Sequence, residues 1–340
     1  MIHAWSEYLQ TQGAAIEGGA VKHFGAPAEE LRTARDGLVV ADLSHYGLIG
    51  FEGEDTQTFL HGQLTNDMRG LKPEAALFAG YCTAKGRLLA NFLVFRRDAG
   101  VLLMLPEAVR EAVQKKLSMF ILRSKVKARD AGPEWVRLGL NGIGAREALV
   151  AAIGAAPQGM MSVLHTDSAF AVQLGDNRFD LFVQPDHAQR VWQALTTEAR
   201  PVGAPAWDWL MIRAGVAMVL APTQDQFVPQ MLNMEVLHGI SFQKGCYPGQ
   251  EIVARTQYLG KIKRRTYLAH VEAAVRPGDE LFSPDLPGQA CGVIANAAPA
   301  PEGGSDVLAV MQVSSFEAGE VRWQRPDGPQ LRFEPLPYSL

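Results

Sequence analysis

Apolar residues along the chain fall into short runs alternating with polar ones and into a few stretches spaced three and four apart, with turn residues between them. Residues 38–43 and 47–53 read as strands bounded by turn signals. Asp55 stands where a helix cap belongs, ahead of a helix through Gln57, Phe59 and Leu60 that ends near Gly62. Residues 88–95 and 101–105 are strand-like, and Pro106 opens a helix through Val113 and Leu117 with Lys115 and Lys116 at its end, as the helix dipole favours. A strand over 120–128 is expected next, then a strand over 136–140 and a helix over 145–153. Residues 170–174 and 178–183 form a hairpin pattern across Gly175, and helices follow at 186–195 and 206–213. The N-terminal residues 4–34 read as helical pieces broken at Gly18-Gly19. Neighbouring strands pair as hairpins more often than they enclose helices, which points to an α+β fold over a doubly wound parallel sheet.

The pattern changes near Lys263. Residues 266–271, 280–283, 290–295, 307–313 and 320–323 are short strands separated by Pro/Gly turns, without useful helical periodicity. A small all-β barrel or sandwich is expected there, giving a body over residues 1–262 and a β module over 263–340.

Composition adds exclusions. The chain has 340 residues, 47% hydrophobic and 20% charged, with a net charge of −4, so disorder and collagen-like structure are ruled out. Three cysteines, Cys82, Cys246 and Cys291, are odd in number and widely spaced, which fits a reducing, cytoplasmic setting better than a disulfide scaffold. No leader with a basic start and apolar middle is visible, and no apolar run reaches the ~18 residues a membrane span needs. The mildly negative charge argues against a dedicated nucleic-acid binder. Phosphate-loop, nucleophile-elbow and His-Glu-x-x-His patterns are absent, and the histidines and cysteines lack metal-ligand spacing, so no resident metal is expected.

One segment is dense in chemistry: Lys244-Gly-Cys-Tyr-Pro-Gly-Gln-Glu251. Gly245 and Gly249 flank Cys246, allowing a tight turn that presents its side chain. Lys244 would favour the thiolate, while Gln250 and Glu251 could orient a ligand or partner. Residue by residue, Cys246 reads first as a buried, inert cysteine in a turn, with a reactive thiol as the alternative.

The stretch Lys244-Gly-Cys-Tyr-x-Gly-Gln-Glu251, with Tyr247 inside it, resembles the signature of the YgfZ family of folate-binding proteins. Residues 59–67 (Phe-Leu-His-Gly-Gln-Leu-Thr-Asn-Asp), 84–88 (Ala-Lys-Gly-Arg-Leu) and 227–233 (Phe-Val-Pro-Gln-Met-Leu-Asn) extend the resemblance. Such proteins are similar to the aminomethyltransferase, or T-protein, of the glycine cleavage system, and assist iron–sulfur cluster assembly or repair. The resemblance implies a three-lobed ring, two α+β lobes plus a C-terminal all-β barrel, with tetrahydrofolate in the central hole. By position it implies Leu64, Asn66, Asp180 and Arg213 as folate-lining residues, Cys246 and Lys244 as the working pair, and iron–sulfur clients or assembly factors as partners.

The chain departs from the T-protein pattern at one decisive place. Where those enzymes carry an acidic pair, residues 86–92 read Gly-Arg-Leu-Leu-Ala-Asn-Phe, with Ala90 and Asn91 in the acidic positions. Neither side chain can serve as a carboxylate base, so folate binding is expected without aminomethyl transfer. An aminomethyltransferase-like one-carbon enzyme stays the alternative, with a Cys246–His238 hydrolase and a ligand-free scaffold behind it. Lys244, Arg255, Lys261, Lys263, Arg264 and Arg265 face only Glu251 in sequence, reading as a solvated edge or as a landing place for an anionic tail or acidic partner.

Overall fold

In the computed structural model, which describes residues 1–340, the alternating runs at 136–141 and 178–183 become the middle of a sheet. The chain divides into two units: Met1–Thr56, Gly70–Leu77 and Leu93–Trp207 form the first, and Gln57–Arg69, Phe78–Phe92 and Asp208–Leu340 the second.

The first unit holds α1 (His3–Thr11), the hairpin β1 (Ala15–Glu17) and β2 (Ala20–His23), and α2 (Pro27–Asp36). Its larger sheet contains β3 (Val39–Asp42), β9 (Val136–Asn141), β10 (Val163–His165), β11 (Ala169–Gly175), β12 (Arg178–Val183) and β13 (Arg200–Val202), in the order β10-β11-β12-β9-β3-β13. All pairs are antiparallel except β13 with β3. Every second residue of the central strands (Val136, Leu138, Leu140; Phe179, Leu181, Val183) joins one buried cluster with Trp5, Leu149, Val191 and Trp192, which α1, α5 (Ala145–Ile153) and α6 (Pro185–Leu195) supply. Burying each such side chain is worth about 1.5–3 kcal/mol, which is why the alternation sets the register. Gly144 and Gly154 bracket α5 in the left-handed conformation, stopping the helix at both ends. The unit also contains β4 (Tyr46–Glu52), β7 (Gly100–Pro106), α4 (Glu107–Ser118) and β8 (Lys127–Asp130), with β4 between β7 and β8.

Two local readings change. Gly18 and Gly19 do not break a helix; both have positive φ, +58° and +77°, and form the two-residue turn of the β1–β2 hairpin. Residues 120–128 are not one strand: Met119, Phe120 and Leu122 are exposed on an irregular connection, and pairing begins only where Lys127 reaches Glu52 of β4. A strand-like composition without a partner edge makes no strand.

The second unit carries α3 (Thr56–Gln63), most of β5 (Ala76–Cys82), the beginning of β6 (Leu88–Arg97), the end of α7 (Ala204–Arg213), and α8 (Gln250–Tyr258). Its C-terminal part is a six-stranded antiparallel sheet, built from β14 (Arg264–Val271), β15 (Glu280–Phe282), β16 (Gly292–Pro299), β17 (Ser305–Gln312), β18 (Arg322–Trp323) and β19 (Arg332–Glu334) in the order β18-β15-β16-β17-β14-β19. The sheet curls into a half-barrel: Tyr267, Ala269 and Val271 and, alternating likewise, Val307, Ala309 and Met311 share one core, and a bulge between Ile294 and Asn296 bends β16. The six-residue helix α9 (Val313–Ala318), too short to leave a periodic signal, stacks Phe316 on Tyr267 with ring centroids 3.8 Å apart. No helix is long and apolar enough to cross a membrane.

Candidate functional site

The Cys246 segment belongs to the second unit. Gly249 ends it with φ +81°, at the N-cap of α8. A Cβ at Gly249 would stand 2.5 Å from Gly86 Cα and from Thr83 O, so the turn at 83–86 and the start of α8 approach as only glycine permits. Between these fixed points Gly245 and Cys246 are exposed, whereas Lys244 and Tyr247 are buried.

Lys244 turns inward. Its Nζ donates to the carbonyls of His61 and Leu64, closing the C-terminal end of α3, and lies 4.8 Å from the centre of the Tyr247 ring. Burial pulls its pKa down to about 8; Asp67 opposes that shift and Arg69 adds to it. Burial likewise pushes the Tyr247 phenol well above its usual range. The other two cysteines are buried and free, and burial lifts Cys82 to about 12. Cys246 is thus the one exposed thiol.

The remaining expected residues lie in three settings. Leu64 is fully buried, bridged to Tyr81 through its backbone. Asn66 ties three segments together: its Nδ2 donates to Phe78 O at 2.8 Å and His238 O at 2.7 Å, and its Oδ1 accepts from Asp67 N at 2.9 Å. Arg213, at the end of α7, directs its NH1 group to Glu334 at 2.5 Å and Asp306 at 3.4 Å. Asp306 also accepts from Trp209 Nε1 at 2.8 Å and meets His270 Nδ1 at 2.8 Å. Asp180 belongs to the first unit, paired in mid-strand with Val172 and Gly139. Its Oδ1 is buried without a hydrogen-bond partner, and burial raises the carboxyl to about 7 against the pull of Arg178 and His45.

Other features emerge only in three dimensions. Asn91 is buried in β6, donating to Ala217 O at 2.7 Å and accepting from Val219 N at 2.8 Å, so the side chain in an expected acidic position clips a distant backbone segment. His61 and Asp67 meet at 2.9 Å beneath the cysteine turn. Both lie in the 59–67 stretch, but nothing in the spacing told that they would meet. His238, by contrast, is exposed at φ +54°, and no hydrogen bond joins its imidazole to Cys246. Of the basic run, Lys244 is internal and Arg265 is paired with Glu235 at 2.7 Å, which leaves Arg264 half-buried and Arg255, Lys261 and Lys263 exposed. No group of three or more His, Cys, Asp or Glu is placed to hold a metal ion.

Comparison with known proteins supplies the context. The domain family described as GCVT N-terminal domain matches residues 7–241. The tRNA-modifying protein YgfZ of Klebsiella pneumoniae (strain 342) is 33% identical over 319 residues, covering 92% of this chain and 97% of the relative. Its namesake from Escherichia coli O127:H6 is 31% identical with the same coverage. Among solved structures, the glycine cleavage system aminomethyltransferase T from Bartonella henselae superposes with a TM-score of 0.82 at 18% identity, covering 99% of this chain and 97% of that one, so the two share a fold. With a family match across most of its length and relatives at this identity over 92% of it, the chain belongs to the YgfZ family, built on the GCVT N-terminal domain.

Proposed function

We propose that the chain is a tetrahydrofolate-binding protein that supports the assembly or repair of iron–sulfur clusters in client enzymes through the Cys246 thiol, and that it is no aminomethyltransferase. The observation that carries this reading is the exposure of Cys246 on a glycine-built turn, in a chain whose two other thiols are buried. The acidic group of T-proteins is replaced by Ala90, fully buried, and Asn91, whose amide is committed to the backbone of residues 217 and 219. A carboxamide in that setting neither takes nor gives a proton at neutral pH.

Each unit by itself offers one polar group that suits a folate. The orphaned, buried Oδ1 of Asp180 lacks a partner that a pterin amide or amino edge would supply, and a carboxyl titrating near 7 can donate as well as accept. Arg213 commits only NH1, leaving Nε and NH2 for a ligand carboxylate. Leu64 and Asn66 would shape the wall, the first through apolar bulk and the second by holding residues 78 and 238 in place. A folate, when bound, would supply one-carbon chemistry; the protein's part would be to bind and orient it.

One thiolate cannot hold a cluster, so thiols from a client or a small molecule would complete the ligand set. A client has a surface to meet: Ile252, Tyr258 and Leu259 are exposed along α8 and just beyond it, with Arg255, Lys261 and Lys263 beside them, which suits an acidic partner. The relatives' tRNA-modifying name fits this reading if clients include iron–sulfur enzymes that act on tRNA. We place the protein in the reducing cytoplasm, where such a thiol survives. The test is complementation of a strain lacking the protein. Cys246→Ala is expected to leave iron–sulfur enzyme activities unrestored; full restoration would remove the thiol from the mechanism.

A further inference from the structure

The connection that follows α4 in the first unit carries more apolar surface than a loop needs. Leu117 at the end of the helix and Val126 just ahead of β8 are buried, so the segment is anchored on both sides. Between them the chain bends tightly. The amides of Phe120 and Ile121 donate to Leu117 O at 3.0 Å and Ser118 O at 3.2 Å, and Ser124 N–H donates to Ile121 O at 2.8 Å, closing a four-residue turn with Leu122 and Arg123 at its tip. Leu122 has φ +45°, at a corner that belongs by preference to Gly, Asn or Asp, and a bulky side chain is strained there. The strain is not offset by burial: Leu122 is 87% exposed, Met119 60% and Phe120 47%. Strain of this kind, kept without a packing gain, is a mark of functional positions.

Cations flank the tip. Lys115, Lys116, Arg123 and Lys127 are exposed, and none is paired with a carboxylate. The acids nearby are already engaged: Glu54 with Lys125 at 2.7 Å, Glu52 with Arg129 at 2.6 Å and Asp130 with Arg110 at 3.3 Å, which leaves Glu111 as the opposing charge. We infer that this turn docks on the anionic face of a phospholipid bilayer, with Met119, Phe120 and Leu122 entering the headgroup region and the four cations held against lipid phosphates. An apolar tip ringed by Lys and Arg gains from both contacts at once. RNA is gripped by cations and by flat rings on which bases stack, and Met119 and Leu122 have no part in that. In the interface with a folded protein, lysine is depleted and a protruding tip needs a matching hollow, whereas a fluid bilayer yields to the tip. The contact needs neither folate nor Cys246, and it holds the protein at the surface without a spanning helix.

The experiment is sedimentation of the full chain with vesicles of phosphatidylcholine alone and of phosphatidylcholine with about one-third phosphatidylglycerol. Binding is expected to the anionic vesicles, weakening as salt is raised, with little binding to the neutral ones. Leu122→Gly removes the apolar tip and suits a φ of +45°, so it is expected to fold as wild type does and to bind anionic vesicles about tenfold more weakly. Leu122→Asn, also at ease with that φ, gives the same answer should glycine loosen the turn. Lys115→Gln combined with Lys116→Gln is expected to weaken binding by about tenfold or more and to flatten its salt dependence. Absence of wild-type binding to the anionic vesicles overturns the proposal. So does binding that is unchanged in these variants, which would assign the lipid to another surface, such as the one along α8. Retention of single-stranded RNA in place of vesicles, lost in the same variants, would assign the turn to nucleic acid and overturn it as well.

Discussion

Asn91 shows how much a single residue decides. Its two hydrogen bonds, at 2.7 and 2.8 Å, satisfy a buried carbonyl and a buried N–H that no other group serves. Asn91→Leu is expected to leave both unmet and to cost about 2–4 kcal/mol, read as a lower urea midpoint with unchanged m value. Asp180 makes the complementary case. Its carboxyl is raised to about 7 in the folded chain, against an ordinary value near 3.8, so the folded state holds a proton that the unfolded chain has given up. The stability it contributes is full below pH 3.8 and is lost as pH rises through 7. Asp180→Asn does not titrate, so its stability relative to wild type is expected to climb between pH 4.5 and 7, by about 3 kcal/mol. Chemical denaturation across that range checks the slope; a constant difference would mean that Asp180 is ionised when buried. Residue identity was legible where a motif is contiguous, as around Cys246. It was not legible where the partner is remote: Asn91 meets a segment 126 residues on, and Lys244, two residues from Cys246 in sequence, turns its charge to the end of α3.

Among the elements, those with their own stop signals were read from the sequence. Helix α5 spans Ala145–Ile153 because apolar spacing fills it and glycines at 144 and 154 adopt conformations that end it. Elements defined by a partner were not: β13 is a three-residue strand whose existence depends on lying parallel to β3, and residues 120–126 had strand-like composition with no edge to join. The same dependence makes the cysteine turn sensitive to one contact. Gly249→Ala would drive a methyl into backbone atoms at 2.5–2.6 Å in the 83–86 turn, and would do so at φ +81°. A loss of at least about 2 kcal/mol is expected, with faster amide exchange through α8 as the local readout. Unchanged exchange protection in α8 would mean that the two segments can separate without consequence.

At the level of the whole molecule, composition said little beyond excluding classes, because a net charge of −4 averages over a locally basic surface at Arg255, Lys261 and Lys263. Fold class was legible because hairpin spacing and the C-terminal run of short strands are local patterns. The half-barrel's six-strand order was not, since β14 pairs with both β17 and β19 from far downstream. Function rests on one short motif and on one missing acid, and both claims pass through folate. Folate binding without the T-protein carboxylate would leave a protein that holds the cofactor while its chemistry is directed by a thiol. Calorimetric titration of the full chain with tetrahydrofolate tests this most directly. One molar equivalent is expected to bind wild type and Cys246→Ala alike, and Arg213→Ala to bind about tenfold or more weakly; absence of binding to the wild-type protein would contradict the folate assignment.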